Sequence, residues 1–188
     1  YDYSNQPFNS DKNHGLFGYV FRAEIRNVVL MDSYVYAYDY AGGIVGNAYS
    51  SKIANCAFSG SVSGPLRVGG IAGALCMDSE VINCFAAGAV RANRYLGGLA
   101  GYVDGSSALK NSCSAANVYL LPDAKSNFGD ATYHGAAAGV AAEGAEIEDC
   151  FYLDSSAAGP VGLGSGDVDP VSWESFQSGY FTDLLDEW

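Results

Sequence analysis

The chain has 188 residues, of which 49% are apolar and only 16% charged, with 24 Gly, 14 Tyr and 5 Pro. A chain of this size and apolar content can bury a continuous core, which excludes a disordered tail or polar linker. Nine basic against 21 acidic residues give a formal charge of −12. Phosphate-binding surfaces need clustered Lys and Arg, so nucleic acid and anionic membranes are excluded as expected partners, while cationic partners and Ca²⁺ stay open.

The chain opens at Tyr1 without an initiating Met or signal-like segment and is expected to be a piece of a longer protein. The first element is Gly15-Leu16-Phe17-Gly18. It recurs as Gly43-Ile44-Val45-Gly46, Gly70-Ile71-Ala72-Gly73 and Gly98-Leu99-Ala100-Gly101, with a weaker copy at Ala136-Ala137-Ala138-Gly139. The closing glycines step by 28, 27, 28 and 38 residues. Each copy is followed, nine or ten residues later, by a branched apolar residue, any residue, then Asn or Asp. These are Ile25-Arg26-Asn27, Ile53-Ala54-Asn55, Val81-Ile82-Asn83, Leu109-Lys110-Asn111 and Ile147-Glu148-Asp149. The next position holds Val28, Cys56, Cys84, Ser112 or Cys150, and six residues further lie Tyr34, Val62, Val90, Val118 and Ser156.

Two elements in fixed phase through five copies define a tandem repeat. Short runs with period-2 apolar positions, punctuated by Gly and Asn, read as strands rather than helices. A unit of 27 or 28 residues cannot bury its own apolar face and must stack on its neighbours. The expected fold is all-β, a right-handed parallel β-helix (β-solenoid) of about five coils with a short C-terminal helical or loop cap. Three strands per coil are expected, with coils about 4.8 Å apart. Residues 1–159 form the solenoid, with repeats near 15–41, 42–68, 69–96, 97–134 and 135–159; residues 160–188 form linker and cap. Asn27, Asn55, Asn83, Asn111 and Asp149 are expected to stack as an amide ladder at an inner turn. Cys56 and Cys84 should be neighbours in one inward column, with Cys113 pointing the other way.

The G-[LI]-x-G element, the following [IVL]-x-N-C element and the repeat length together resemble the GLUG repeat, over about residues 15–159. That resemblance implies a large secreted or cell-surface bacterial protein, adhesin-like or a non-catalytic part of an immunoglobulin A peptidase. It implies no single activity. Val28, Ser112 and Ala136 are the departures from the pattern.

Binding residues are sought where the repeat is interrupted. Tyr34, Tyr36, Tyr38 and Tyr40 alternate and should share one face, suited to stacking on sugar rings or docking a protein. Tyr40 also matches Tyr95 before the glycine pair, which gives it a structural place. The fourth coil carries ten extra residues within Leu120–His134. They are expected to project as a loop holding Asp123, Lys125, Asn127, Asp130 and Tyr133, either a tolerated insertion or a binding loop. After Gly159, Gly162-Leu163-Gly164-Ser165-Gly166 reads as a flexible turn, and Gly164–Asp169 as a single weak Ca²⁺-like turn. Pro170–Trp188 reads as two short helices, N-capped by Ser172 and Thr182 and separated by Gly179, forming a lid on the open end.

Chemical signatures are sparse. H-E-x-x-H, G-x-S-x-G and the phosphate loop are absent from the sequence. Five Cys without C-x-x-C make neither a zinc pattern nor a disulfide framework. His14 and His134, four coils or about 19 Å apart, are expected to be ordinary turn residues. Glu24, Asp78, Glu80, Asp104, Glu143 and Glu146 fall near one recurring turn as an acidic edge. The expected function is a non-enzymatic structural or adhesive module, extracellular, without catalytic residues, metal or cofactor. It would pair with other domains of its parent chain and with a host or matrix protein or glycan, without membrane insertion. A carbohydrate-binding module and a polysaccharide-degrading β-helix enzyme are the alternatives.

Overall fold

Gly and Asn set the corners of this chain, and hydrogen bonding sets the distance between its layers. The computed structural model describes residues 12–121, 132–155 and 159–177. These residues form a parallel β-solenoid of five rungs with a partial sixth, and one short helix, Trp173–Gln177. The second rung shows the unit: strands Tyr40–Gly42, Val45–Tyr49, Lys52–Ala54 and Ala57–Gly64. Stacking gives four parallel sheets of five, six, five and six strands.

Four strands per rung replace the expected three. The glycine pair ends one strand and opens the corner to the next. A Cβ at Gly42 would lie 2.1 Å from Val45 O, and one at Gly43 would lie 2.3 Å from Gly70 O. No side chain fits this turn, so the three-residue strand before it is separated from the five-residue strand after it.

Equivalent residues lie over one another. Val45, Ala72, Ala100 and Ala138 pair in register, as do Ile25, Ile53, Val81, Leu109 and Ile147. The core is therefore a bundle of columns: Ile44, Ile53, Val62, Val68, Ile71, Leu75, Val81, Leu96, Leu99 and Leu109 are fully buried. The uneven steps of the repeat have local causes. Asp32 is extruded as a β-bulge with φ 51°, between Met31 and Ser33. Val35, not Tyr34, therefore pairs with Val62, and Tyr34 pairs with Ser61 on the outer face. The third rung turns through Met77 and Asp78, both with positive φ, where the second uses Ser50 alone.

The Asn column is a column of left-handed residues. Asn27, Asn55, Asn83, Asn111 and Asp149 have φ of 59°, 54°, 53°, 43° and 48°, a region in which Asn and Asp cost least among non-glycine residues. Their side chains face outward instead of inward: Asn27, Asn55 and Asp149 are exposed, Asn83 and Asn111 half-buried. Asn55 Nδ2 donates to Asn27 Oδ1 at 3.3 Å, and Asn83 Nδ2 to Asn55 Oδ1 at 3.2 Å. The Asn83 oxygen has no partner above it. Asn83→Leu should therefore cost about 1–2 kcal/mol, mainly for a bulky residue in the left-handed region. Asn83→Gly, which is free of that strain, should cost less. Urea titration of both variants checks this order, and Gly proving the worse substitution would make the amide ladder the dominant contribution.

The inner polar ladder is built from serine. Ala23 N donates to Ser51 Oγ at 3.0 Å, Ser51 N to Ser79 Oγ at 3.2 Å, and Ser79 N to Ser107 Oγ at 3.1 Å. Ser51 and Ser79 hydroxyls in turn donate to Tyr49 O and Cys76 O, both at 2.7 Å. Buried turn amides are thus satisfied one rung at a time.

The stack runs past Gly159. Val161–Leu163 pairs with the fifth-rung strand Ala138–Ala141, and Val168–Val171 pairs with Cys150–Leu153. Residues read as a flexible turn and linker thus supply a partial sixth rung. Ser172 caps the helix, accepting from Ser175 N at 3.1 Å. The helix does not cover the open end. Phe176 stacks on Phe85 of the third rung with ring centroids 6.0 Å apart, so the helix lies along the outer face of the long-strand sheet. Cys113, in register between Phe85 and Phe151 on that sheet, is buried. Thr182 and Gly179 lie outside the described residues. No described helix is long and apolar enough to cross a membrane.

Candidate functional site

Side chains that the core does not use gather on two outer regions. The first is the long strand of the first rung. Because Asp32 bulges out, Tyr34 and Tyr36 point away from the core, and Tyr38 follows in the turn. They are 70%, 52% and 51% exposed. Tyr34 is anchored through its hydroxyl to Ser63 Oγ at 3.1 Å. Val29, Met31 and Phe21 are also exposed on this rung.

Tyr40 does not belong to that strip. It starts the next rung, in a column that runs Asn13, Tyr40, Arg67, Tyr95, Tyr133. Arg67 lies over the rings of Tyr40, Tyr95 and Tyr102, with its guanidinium carbon 4.7, 5.7 and 5.8 Å from their centroids. It also pairs with Asp39 at 2.6 Å. Burial pushes the Asp39 carboxyl above its ordinary value, and the Arg67 charge pulls against that shift. Tyr95 and Tyr133 stack at 5.9 Å. Tyr133 is therefore a member of this column at the root of the fourth-coil insertion. Asp123, Lys125, Asn127 and Asp130 lie outside the described residues.

Beside this column the next sheet contributes Tyr19, Asn47 and Tyr49. Together with Lys12, Asn13, Asp39 and Tyr40 they line a cavity of about 370 Å³. Tyr19 and Tyr49 meet with ring centroids 5.4 Å apart. Tyr40 aside, the linear pattern did not single these residues out, since they come from four strands in two rungs.

The remaining chemistry is dispersed or paired. His14 and His134 occupy the two ends of one strand column, His14–Ala41–Val68–Leu96–His134, so they are strand residues rather than turn residues. His14 Nδ1 hydrogen-bonds to the Tyr36 carbonyl. On the acidic edge Glu24, Lys52 and Glu80 stack in register, and Lys52 pairs with Glu80 at 2.6 Å. Glu24 pairs with Arg26. Lys110 bridges Glu146 at 2.6 Å and Glu148 at 3.1 Å. Burial opposes ionisation of Asp104, but hydrogen bonds from Met77 N, Ser107 and Ser106 hold its carboxyl below the ordinary range. Asp78 and Glu80 border a second concavity of about 490 Å³ with Arg22 and Lys52 on its walls.

All five cysteines are free thiols. Cys56, Cys84, Ser112 and Cys150 form one buried column. Ser112 keeps the column polar-compatible by donating to Lys110 O at 2.7 Å and accepting from Cys84 N at 3.0 Å. A hydrogen bond with Cys56, aided by burial, pushes the Cys84 thiol up. Burial pushes Cys113 and Cys150 up to about 12 each. Such thiols are protonated packing groups. Among the described residues no cluster of three or more His, Cys, Asp or Glu could hold a metal ion.

These features define a stacked-repeat β-solenoid with an aromatic outer surface, a structural repeat module. Residues 37–63 match the model of the GLUG motif. No curated protein matches the chain. A solved structure from Bacteroides ovatus, described as a "putative immunoglobulin A1 protease", matches with a TM-score of 0.66 and 26% identity. The match covers 88% of this chain and 52% of that one, so this chain spans about half the length of its structural relative.

Proposed function

We infer that this chain is a non-enzymatic structural and adhesive module of a secreted or cell-surface bacterial protein. It holds other domains of its parent chain at a distance and binds a host or matrix protein or glycan. The observation that carries this reading is the exposed tyrosine strip Tyr34, Tyr36 and Tyr38 at the first rung, flanked by exposed Val29 and Met31. Rigid aromatic side chains with one polar tip are suited to contact surfaces, because they gain area at little conformational cost. Contiguous exposed apolar surface on a soluble fold marks an interaction site. The non-catalytic part of the reading is supported by the ion pairs that engage Glu24, Glu80 and Glu146, and by the placement of the two histidines at opposite ends of one column. The GLUG motif and the Bacteroides relative support an extracellular setting.

The test is an array of matrix proteins and glycans probed with the purified domain. Reproducible binding that falls about tenfold or more in Tyr36→Ala and Tyr38→Ala is the expected result, since an aromatic anchor at an interface is typically worth more than about 1.4 kcal/mol. Binding that is unchanged in both variants would remove the strip from the adhesive surface.

A further inference from the structure

The cavity between the second-rung corner and the first-rung strand has an unusual donor–acceptor balance. Asn47 faces outward from its strand, in register with Tyr19 and Ala74, yet is only 4% exposed because tyrosines surround it. Tyr49 lies two residues on along the same strand, in register with Cys76. The Asn47 Oδ1 is buried and has no partner. Asn13 Oδ1, in the same cavity, is likewise buried and unpartnered. Two buried acceptors in one cavity without a protein donor need a donor from outside the protein. Each lacks a donor, and a bound molecule carrying hydroxyl groups would supply both.

The walls narrow the class further. The Asp39 carboxylate is already matched by Arg67 at 2.6 Å, and Lys12 also lines the cavity. A cationic ligand would meet those two positive groups. An anionic ligand would bring more acceptors to a place that already has two too many. Three tyrosine rings, Tyr19, Tyr40 and Tyr49, offer flat apolar surface with polar rims. A volume of about 370 Å³ is at the small end of ligand pockets and accommodates one or two sugar rings. We propose that the cavity lined by Tyr19, Tyr40, Tyr49, Asn13 and Asn47 is a binding site for a neutral pyranose sugar. The ring's C–H face packs on tyrosine, and two hydroxyls donate to the amide oxygens of Asn13 and Asn47. The site is separate from the exposed strip at Tyr34, Tyr36 and Tyr38, and stands whether or not that strip is adhesive.

Saturation-transfer NMR on the full chain tests this, using methyl pyranosides of glucose, galactose, mannose and N-acetylglucosamine, with choline and sialic acid as charged comparators. At least one neutral pyranoside is expected to bind, with its ring C–H protons receiving most of the saturation. Asn47→Ala should weaken that binding about tenfold or more, the loss expected when one buried hydrogen bond to a ligand is removed. The same variant should keep or raise the melting temperature, because an orphaned oxygen leaves with the side chain. Tyr49→Ala should also weaken binding, and Tyr36→Ala should not. Binding of only choline or sialic acid, binding unaffected by Asn47→Ala, or no binding of any neutral pyranoside at millimolar concentration would each overturn the assignment.

Discussion

Gly70→Ala should lower the stability of the domain by about 3 kcal/mol or more, at the upper end of overpacking effects. A Cβ there would lie 2.2 Å from Gly98 O and 2.6 Å from Ala86 Cβ. Neither obstacle can retreat. Gly98 O accepts the Gly70 N–H at 3.1 Å, so moving it breaks the inter-rung ladder, and Ala86 is fully buried. The fifth rung supplies an internal comparison, because Ala136 stands at the equivalent corner and its N–H bonds to Gly159 O at 2.8 Å. The corner itself therefore accepts a methyl group where the layer above is only partial. Gly159→Ala is the outer control: nothing lies within 4 Å of a Cβ there, and the change should stay within about 0.5 kcal/mol. Urea unfolding followed by circular dichroism separates the two. Equal midpoints for Gly70→Ala and Gly159→Ala would show that the corner is looser than its geometry.

Phe58→Ala should cost about 3–5 kcal/mol, the range for a large aromatic removed from a packed interior. Phe58 is 1% exposed, in a column where its register partners are Leu30 and Ala86 and the next is Ser114. The chain makes room for this ring by removing side chains around it. A Cβ at Gly43 would fall 2.3 Å from the ring, and one at Gly60 would fall 2.9 Å from its Cζ. Truncation therefore leaves a void flanked by glycines, which have no side chains to move in. Differential scanning calorimetry should show a large fall in melting temperature. A cost near 1 kcal/mol would mean that neighbouring rungs close over the gap.

Much of this architecture was legible from spacing alone, because stacking forces each copy to present the same residue at the same place. Ile53, Val81 and Leu109 are in register as the repeat requires, and the left-handed column at Asn27 to Asp149 follows the Asn positions one for one. What the Asn residues do was read less well. Asn suggests an inner amide ladder, but in this turn its value is conformational, and the buried amides are met by Ser51, Ser79 and Ser107 two residues before each branched apolar position. That serine phase was present in the sequence but is broken by Ala23 and Ala145 at the two ends. The four-strand rung was hidden because its shortest strands have three residues, too few to show alternation. The bulge at Asp32 sits inside an apolar run, where one extra residue leaves no mark except that Tyr34 replaces the valine of later copies. The candidate sugar site was legible only in part. Stacking brings Tyr19 beside Asn47 and Tyr49, as the repeat step implies, but Tyr40 reaches them only across a corner, which linear spacing does not record.

Helix Trp173–Gln177 links rungs that the strand ladder alone would join one at a time. Under tension a layered rod yields where a layer can peel alone. Among the described residues, the strands of the first rung pair with those of the second. After strand Val168–Val171 the chain doubles back and Phe176 stacks on Phe85, three rungs away, which ties these rungs together. Load applied through this helix is thus shared between the sixth-rung strand and the third rung.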